Sequence, residues 1–283
     1  MRKEVQVNVQ QLVFRISGCL SVLLALLLAS AIVSAQEPAP GADSGCRTLV
    51  VTGNPEYPPW LWSRKDGTLD GAAAQLLREA LAGSEWEPVF KAVPTWARAQ
   101  AETRLGRADM IAGAFITDER QTWMDYIHPQ IVDLPNVVFV RKGVYFPFNT
   151  WSDLVPYRGA TLLNNSFGQE FDSYAKNHLR LEGVSSVEQA FGMLRQSRVD
   201  YVVFELFQGN ILLETLGWEH DVEPLPNPIN AEGLYFTVSR ASPCNSGKLK
   251  AWLRQRIQQL VMEGRPKALA DHYTSVWHEK GHD

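Results

Sequence analysis

Apolar residues recur along this chain in two rhythms, short β-branched runs and longer stretches with helical spacing, which alternate from residue 48 onward. Thr48-Leu49-Val50-Val51-Thr52 is the first short run and predicts a strand. Gly71 to Ala82 sets Ala73, Leu76, Leu77, Ala80 and Leu81 on one helical face and closes at Gly83. A strand over Glu87 to Val93 and a helix over Ala97 to Leu105 follow. Met110 to Ala114 is small and apolar, too short for a helix, and reads as a buried strand. Thr117 then caps a short helix with Asp118, Glu119 and Arg120 in its first turn. Beyond it, Val137 to Arg141 predicts a strand, Val144 to Trp151 a connector and Ser152-Asp153-Leu154 a short capped helix. Ala160 to Leu163 predicts another strand, Glu170 to Leu181 and Ser186 to Gln196 helices, and Val199 to Glu205 an apolar strand. Val222 to Asn230 is proline-rich and irregular, Gly233 to Arg240 a strand, and Leu249 to Glu263 and Lys267 to about Val276 helices. Strands alternating with helices of these lengths mean an α/β fold.

Two passages share a plan. A helix, a turn, Arg107-Ala108-Asp109 and an apolar strand are matched by a helix, a turn, Arg198-Val199-Asp200 and an apolar strand. The repetition suggests two lobes of similar build. Between the first strand and the first helix, Gly53 to Trp62 holds three prolines, so it is a stiff loop displaying Tyr57, Trp60 and Trp62 or capping a core with them. Lys65-Asp66-Gly67-Thr68 suits a tight hairpin and lacks the alternating oxygen ligands of a calcium loop.

The first 35 residues change the picture. Arg2, Lys3 and Arg15 precede an apolar run from Ile16 to Val33 that ends in Val33-Ser34-Ala35, the pattern of a signal peptide cut near Ala35. The run is also near the length of a membrane anchor, which the small-residue ending disfavours. Gln36 to Gly45 is a polar, proline- and glycine-rich leader. Residues 1–35 hold three basic side chains and one acidic, so their removal takes the formal charge from −4 to −6. A mildly acidic protein without a basic block does not suit nucleic acid or anionic membranes. Cys46 and Cys244 remain, and in an exported chain they pair or stay free, with pairing favoured.

Candidate chemistry centres on Arg120. A strand opening into a helix N-terminus is where open α/β sheets hold ligands, and the guanidinium fork suits a carboxylate. The alternative is a solvated surface arginine. His272, His278 and His282 do not make a metal site, and no nucleophile elbow, P-loop or zinc-protease motif is present. No catalytic residue, metal or cofactor is expected.

Several motifs, in order, resemble the family-3 periplasmic solute-binding proteins, the polar amino-acid receptors of ABC importers. They are Asn54-Pro55-Glu56-Tyr57-Pro58-Pro59-Trp60, Gly106 to Gly113, Ile116 to Arg120, Tyr126-Ile127-His128-Pro129, Val138 to Gly143, Arg198-Val199-Asp200 and Gly233 to Val238. The resemblance implies a type II-like periplasmic binding protein of two α/β lobes, each a mixed sheet flanked by helices, closing on a ligand. Lobe 1 would be 46–140 plus 231–283 and lobe 2 141–230, with Val137 to Arg141 and Leu234 to Ser239 as the two hinge strands. Both cysteines would then fall in lobe 1. It also implies that Arg120 grips a ligand carboxylate beside amides near Gly113, with Asn54, Tyr57, Trp60 and Trp96 around the ligand. Ser166 would contribute from lobe 2, and Glu205 stands where the family has an Asp for the α-ammonium. Glu205 is one methylene longer, and Phe115 replaces a small hydroxyl residue, so amino acids, small dicarboxylates, amines and opine-like solutes are all open. The expected role is a monomeric periplasmic receptor delivering a small-molecule ligand to an inner-membrane ABC permease. The alternatives are a sensor acting on a membrane kinase, or a dehydratase-like enzyme using Glu205 as a general acid.

Overall fold

The computed structural model describes residues 45–280. The signal peptide expected over 1–35, nearly all of the leader over 36–45, and His282 lie outside the described residues.

Strand β1 (Thr48–Thr52) is followed by a small antiparallel sheet of β2 (Glu56–Tyr57), β3 (Leu61–Ser63) and β4 (Leu69–Asp70). Helix α1 (Ala72–Leu81), β5 (Glu87–Phe90), α2 (Trp96–Arg104), β6 (Met110–Ala114) and α3 (Asp118–Gln121) lead to the 18-residue strand β7 (Met124–Arg141). A 3-10 turn at Trp151–Leu154, β8 (Arg158–Leu162), α4 (Gln169–His178), β9 (Arg180–Val184), α5 (Val187–Arg195), β10 (Tyr201–Glu205) and α6 (Leu206–Leu216) follow. The chain returns through β11 (Val222–Pro224) and β12 (Asn230–Ser239) to α7 (Gly247–Met262) and α8 (Arg265–Lys280).

The local causes are those the pattern predicts. Ala73, Leu76, Leu77, Ala80 and Leu81 are all buried on the core face of α1. Gly71, ahead of that helix, has φ 131°, and a Cβ there would sit 2.5 Å from the Trp60 carbonyl oxygen, so only glycine fits. Met110–Ala114 is buried at every position, as a strand covered on both faces should be.

The large sheet runs β5-β1-β6-β12-β7-β10-β8-β9, with β11 on β7. One half contains the parallel strands β5, β1 and β6, the other the parallel strands β10, β8 and β9. Between them β7 and β12 run antiparallel, Met124–Ile127 beside Phe236–Ser239 and Val132–Asn136 beside Asn230–Leu234. The molecule therefore has two lobes, each a mixed sheet flanked by helices, joined by two long strands. Val137–Phe139, expected in the outgoing hinge, pairs instead with Val202–Phe204 of β10. The segments connecting the halves lie nearer Val132–Asn136 and Asn230–Leu234. An apolar cluster beneath them reaches from Trp96, Ile111 and Met124 in one lobe to Phe139, Leu162 and Phe191 in the other.

Two local expectations change. The helix expected to reach Leu181 ends at His178, and Arg180–Val184 forms an edge strand parallel to β8. Four of that strand's five residues are not buried, so its sequence carries no apolar alternation to read. Val222–Pro224, expected to be irregular, pairs with β7. Cys46 and Cys244 form a disulfide with Cα atoms 5.4 Å apart, fixing the entry of β1 to the turn before α7.

Candidate functional site

The end of β6 opens into Phe115, Ile116 and Thr117, and the Thr117 hydroxyl accepts the Arg120 amide at 3.1 Å, capping α3. That turn buries Arg120, which is 4% exposed. Its Nη1 donates to the Phe115 carbonyl (3.1 Å), Nη2 to the Asn164 carbonyl (3.1 Å) and Nε to Gln100 Oε1 (3.3 Å). The guanidinium carbon lies 5.2 Å from the centre of the Trp96 ring, within cation–π reach. Every acceptor is neutral. No carboxylate of the described residues lies within ion-pairing distance, and burial lowers the guanidinium's pKa without discharging it.

Asn164, in the turn after β8, adopts φ 58°, a left-handed conformation that asparagine tolerates. Its carbonyl oxygen crosses to the other lobe and receives three donors: Trp96 Nε1 (3.2 Å), Gln100 Nε2 (3.1 Å) and Arg120 Nη2 (3.1 Å). A carbonyl offers two lone pairs, a carboxylate about four acceptor positions. Three donors, one of them cationic, are therefore arranged as an anion would use them.

The opposing acid is Glu205, at the end of β10 and 3% exposed. Its oxygens cap α6, accepting the amides of Phe207 (2.7 Å) and Gln208 (2.9 Å). Burial pushes its carboxyl up to about 7 against the pull of those two amides. Burial, reinforced by the Glu205 charge, raises the Tyr57 phenol well above its ordinary range.

Asn54, Tyr57, Trp96, Gly113, Phe115, Arg120 and Glu205 all line one cavity of about 30 Å3, together with Asn165, Gln208 and Leu234. Such a volume is about one water molecule's share of the liquid. The lobes are drawn together around it: the Gln208 side-chain amide donates to the Glu56 carbonyl, and the Asp118 amide to Gln169 Oε1 at 3.1 Å.

Two expected site residues lie elsewhere. Ser166 is buried in its own turn, donating to Asp172 and accepting the Gly168 amide at 3.2 Å. Trp60 is 3% exposed and borders a different groove, beside Val132 and Leu134. Conversely, Gln100, the Asn164 carbonyl and Gln208 belong to the site. Gln100 sits one helical turn after Trp96 and shares its face, a spacing visible in the sequence. The left-handed Asn164 could be suspected from Asn164-Asn165 in a small-residue turn. Gln208 leaves no sequence signal. Among the described residues no group of three or more His, Cys, Asp or Glu side chains could hold a metal.

A family model described as "Bacterial extracellular solute-binding proteins, family 3" matches residues 49–276. No curated protein matches the sequence significantly. Among solved structures, a mutant of ArgBP from T. maritima superposes with a TM-score of 0.66 at 20% identity, covering 81% of this chain and 95% of that one. A histidine kinase sensor domain with similarity to periplasmic binding proteins gives 0.68 at 19%, covering 81% and 96%. The substrate binding protein of an amino acid ABC transporter gives 0.63 at 21%, covering 80% and 98%. At these identities the likeness is one of fold.

Proposed function

The chain belongs to the bacterial extracellular solute-binding proteins, family 3, and from that premise we propose that it captures a small solute bearing a carboxylate between its two lobes, without altering it. The convergence of Trp96, Gln100 and Arg120 on the Asn164 carbonyl carries the reading. A carboxylate replacing that carbonyl would give the buried guanidinium the negative partner that its present acceptors lack. Glu205, on the other lobe, would receive an ammonium or another donor. The cavity of about 30 Å3 is too small for any such solute, so capture begins with the lobes apart and ends with them closed on the ligand. Lobe 1 is taken as the residues before Val132–Asn136 and after Asn230–Leu234, the two crossing segments, and lobe 2 as those between them. The signal peptide over residues 1–35 would export the protein to the periplasm, where as a monomer it would serve an ABC permease.

Thermal-shift screening of residues 36–283 against amino acids, amines and small acids tests the capture. A ligand at a hundred times its dissociation constant adds about 2.7 kcal/mol of stability. Arg120→Gln should abolish the response to every hit carrying a carboxylate. An unchanged response would remove the site from the Arg120 turn. A second reading, a sensor for a membrane kinase, draws on the kinase sensor domain among the neighbours. Loss of uptake of the identified solute in a deletion strain separates transport from sensing.

A further inference from the structure

A second cavity, of about 730 Å3, shares no lining residue with the Arg120 cavity. Lobe 1 supplies Glu56, Trp62 and Trp277 to its walls, and lobe 2 supplies Val187, Glu188 and Leu212. The two indoles meet edge to face, with ring centres 5.2 Å apart and planes at 73°. Trp277 is held there by Nε1 donating to Thr215 Oγ1 at 2.9 Å, which joins α8 to α6.

The charges on these walls are unbalanced. Arg64, the cavity's basic residue, pairs with Asp70 at 2.9 Å. No basic side chain of the described residues lies within ion-pairing distance of Glu56 or Glu188. The Glu56 carboxyl lies by the backbone of Val187 from the other lobe and near enough to Glu188 for the two charges to repel. Burial and that repulsion raise the Glu56 carboxyl. Two indole faces, two carboxylates and an aliphatic wall make a site for a positive charge carried on an apolar body.

We propose that this cavity binds a small organic cation, an ammonium group attached to an aromatic or branched aliphatic body. The ammonium lies between Glu56 and Glu188, beside the Trp62 and Trp277 rings, and the body lies on Val187 and Leu212. Because the walls come from both lobes, such a ligand contacts both at once.

Isothermal titration calorimetry of the mature protein with 2-phenylethylammonium tests this, with 2-phenylethanol as the neutral counterpart of the same shape. The amine should bind and the alcohol should bind about tenfold more weakly or not at all. Glu188→Gln, at an exposed position where folding is not at stake, should weaken the amine by about tenfold, and Trp277→Phe should weaken it less. Glu205→Gln should leave the amine isotherm as it is. Failure of the amine to bind at millimolar concentration would overturn the proposal. So would equal binding of amine and alcohol, or a loss that follows Glu205→Gln and not Glu188→Gln.

Discussion

Glu205 offers the most quantitative test of the site, because its environment works against its charge. The carboxyl is buried in the cleft and pushed up to about 7, from an ordinary value of 4.5. Between those two values the folded protein holds more protons than the unfolded chain, so stability falls as pH rises through the window. The loss is complete above pH 7. At about 1.4 kcal/mol per pH unit, a difference of about 2.5 units amounts to about 3 kcal/mol. Glu205→Gln keeps the shape of the protonated acid and removes its ionisation. Relative to the parent, the variant should gain about 3 kcal/mol between pH 4.5 and 8, whatever its offset at the acid end. Urea unfolding of both proteins across that range, at fixed ionic strength, measures the difference. A difference that stays constant with pH would mean that Glu205 is not a buried, titrating acid. The same titration bears on the ligand. An ammonium prefers the ionised carboxylate, so its affinity should fall by about tenfold per pH unit below 7, and a dicarboxylate facing Glu205 should show the opposite slope.

Two further outcomes concern the frame that holds the site. Asp109→Ala should cost about 2–3 kcal/mol, because it strands the Val50 amide (2.7 Å) and the Ser242 hydroxyl (2.5 Å) in a buried place; urea midpoints report it. Asp200→Ala, at the less buried counterpart, should cost about 1 kcal/mol, and equal losses would refute the dependence on burial. Cys46→Ser should lower stability by up to about 5 kcal/mol, since the bond spans 198 residues, and reduction of the parent protein should lower the thermal midpoint to match. A midpoint indifferent to reduction would mean that the bond constrains nothing.

How much of this was legible depended on whether burial leaves a one-sided mark. Helix α1 and strand β6 were readable because one face, or both, is apolar throughout. Strand β9 was not, since an exposed edge has no face to hide. The meeting of Val132–Asn136 with Asn230–Leu234 joins positions about a hundred residues apart, and no local pattern encodes that register. At the site, Arg120 stood out because a capped turn after a buried strand is an unusual place for a guanidinium. The family resemblance puts Ser166 in the lobe 2 turn that meets the ligand, but Asp172, six residues on, engages its hydroxyl, a contact that no motif encodes. Gln208 became a site residue through a contact with Glu56 from the other lobe, which tertiary structure alone provides.

The repeated Arg-x-Asp has a structural meaning that separates frame from chemistry. In lobe 1 the Asp109 amide donates to the Val50 carbonyl at 2.7 Å, while its carboxylate accepts the Val50 amide. In lobe 2 the Asp200 amide donates to the Arg158 carbonyl at 2.7 Å, while its carboxylate accepts the Arg158 amide at 2.9 Å. Each aspartate thus clasps the neighbouring parallel strand at the start of β6 or β10, and the repeat is one of construction. The lobes diverge at the far ends of those same strands. After β6 the chain turns to bury a cation, Arg120, and at the end of β10 it buries an acid, Glu205. Similar scaffolds therefore present opposite charges across one cleft, and each burial is costly for the charged form. A solute carrying both complementary charges relieves the two costs together only when it touches both lobes. Ligand binding and lobe closure would then be a single event.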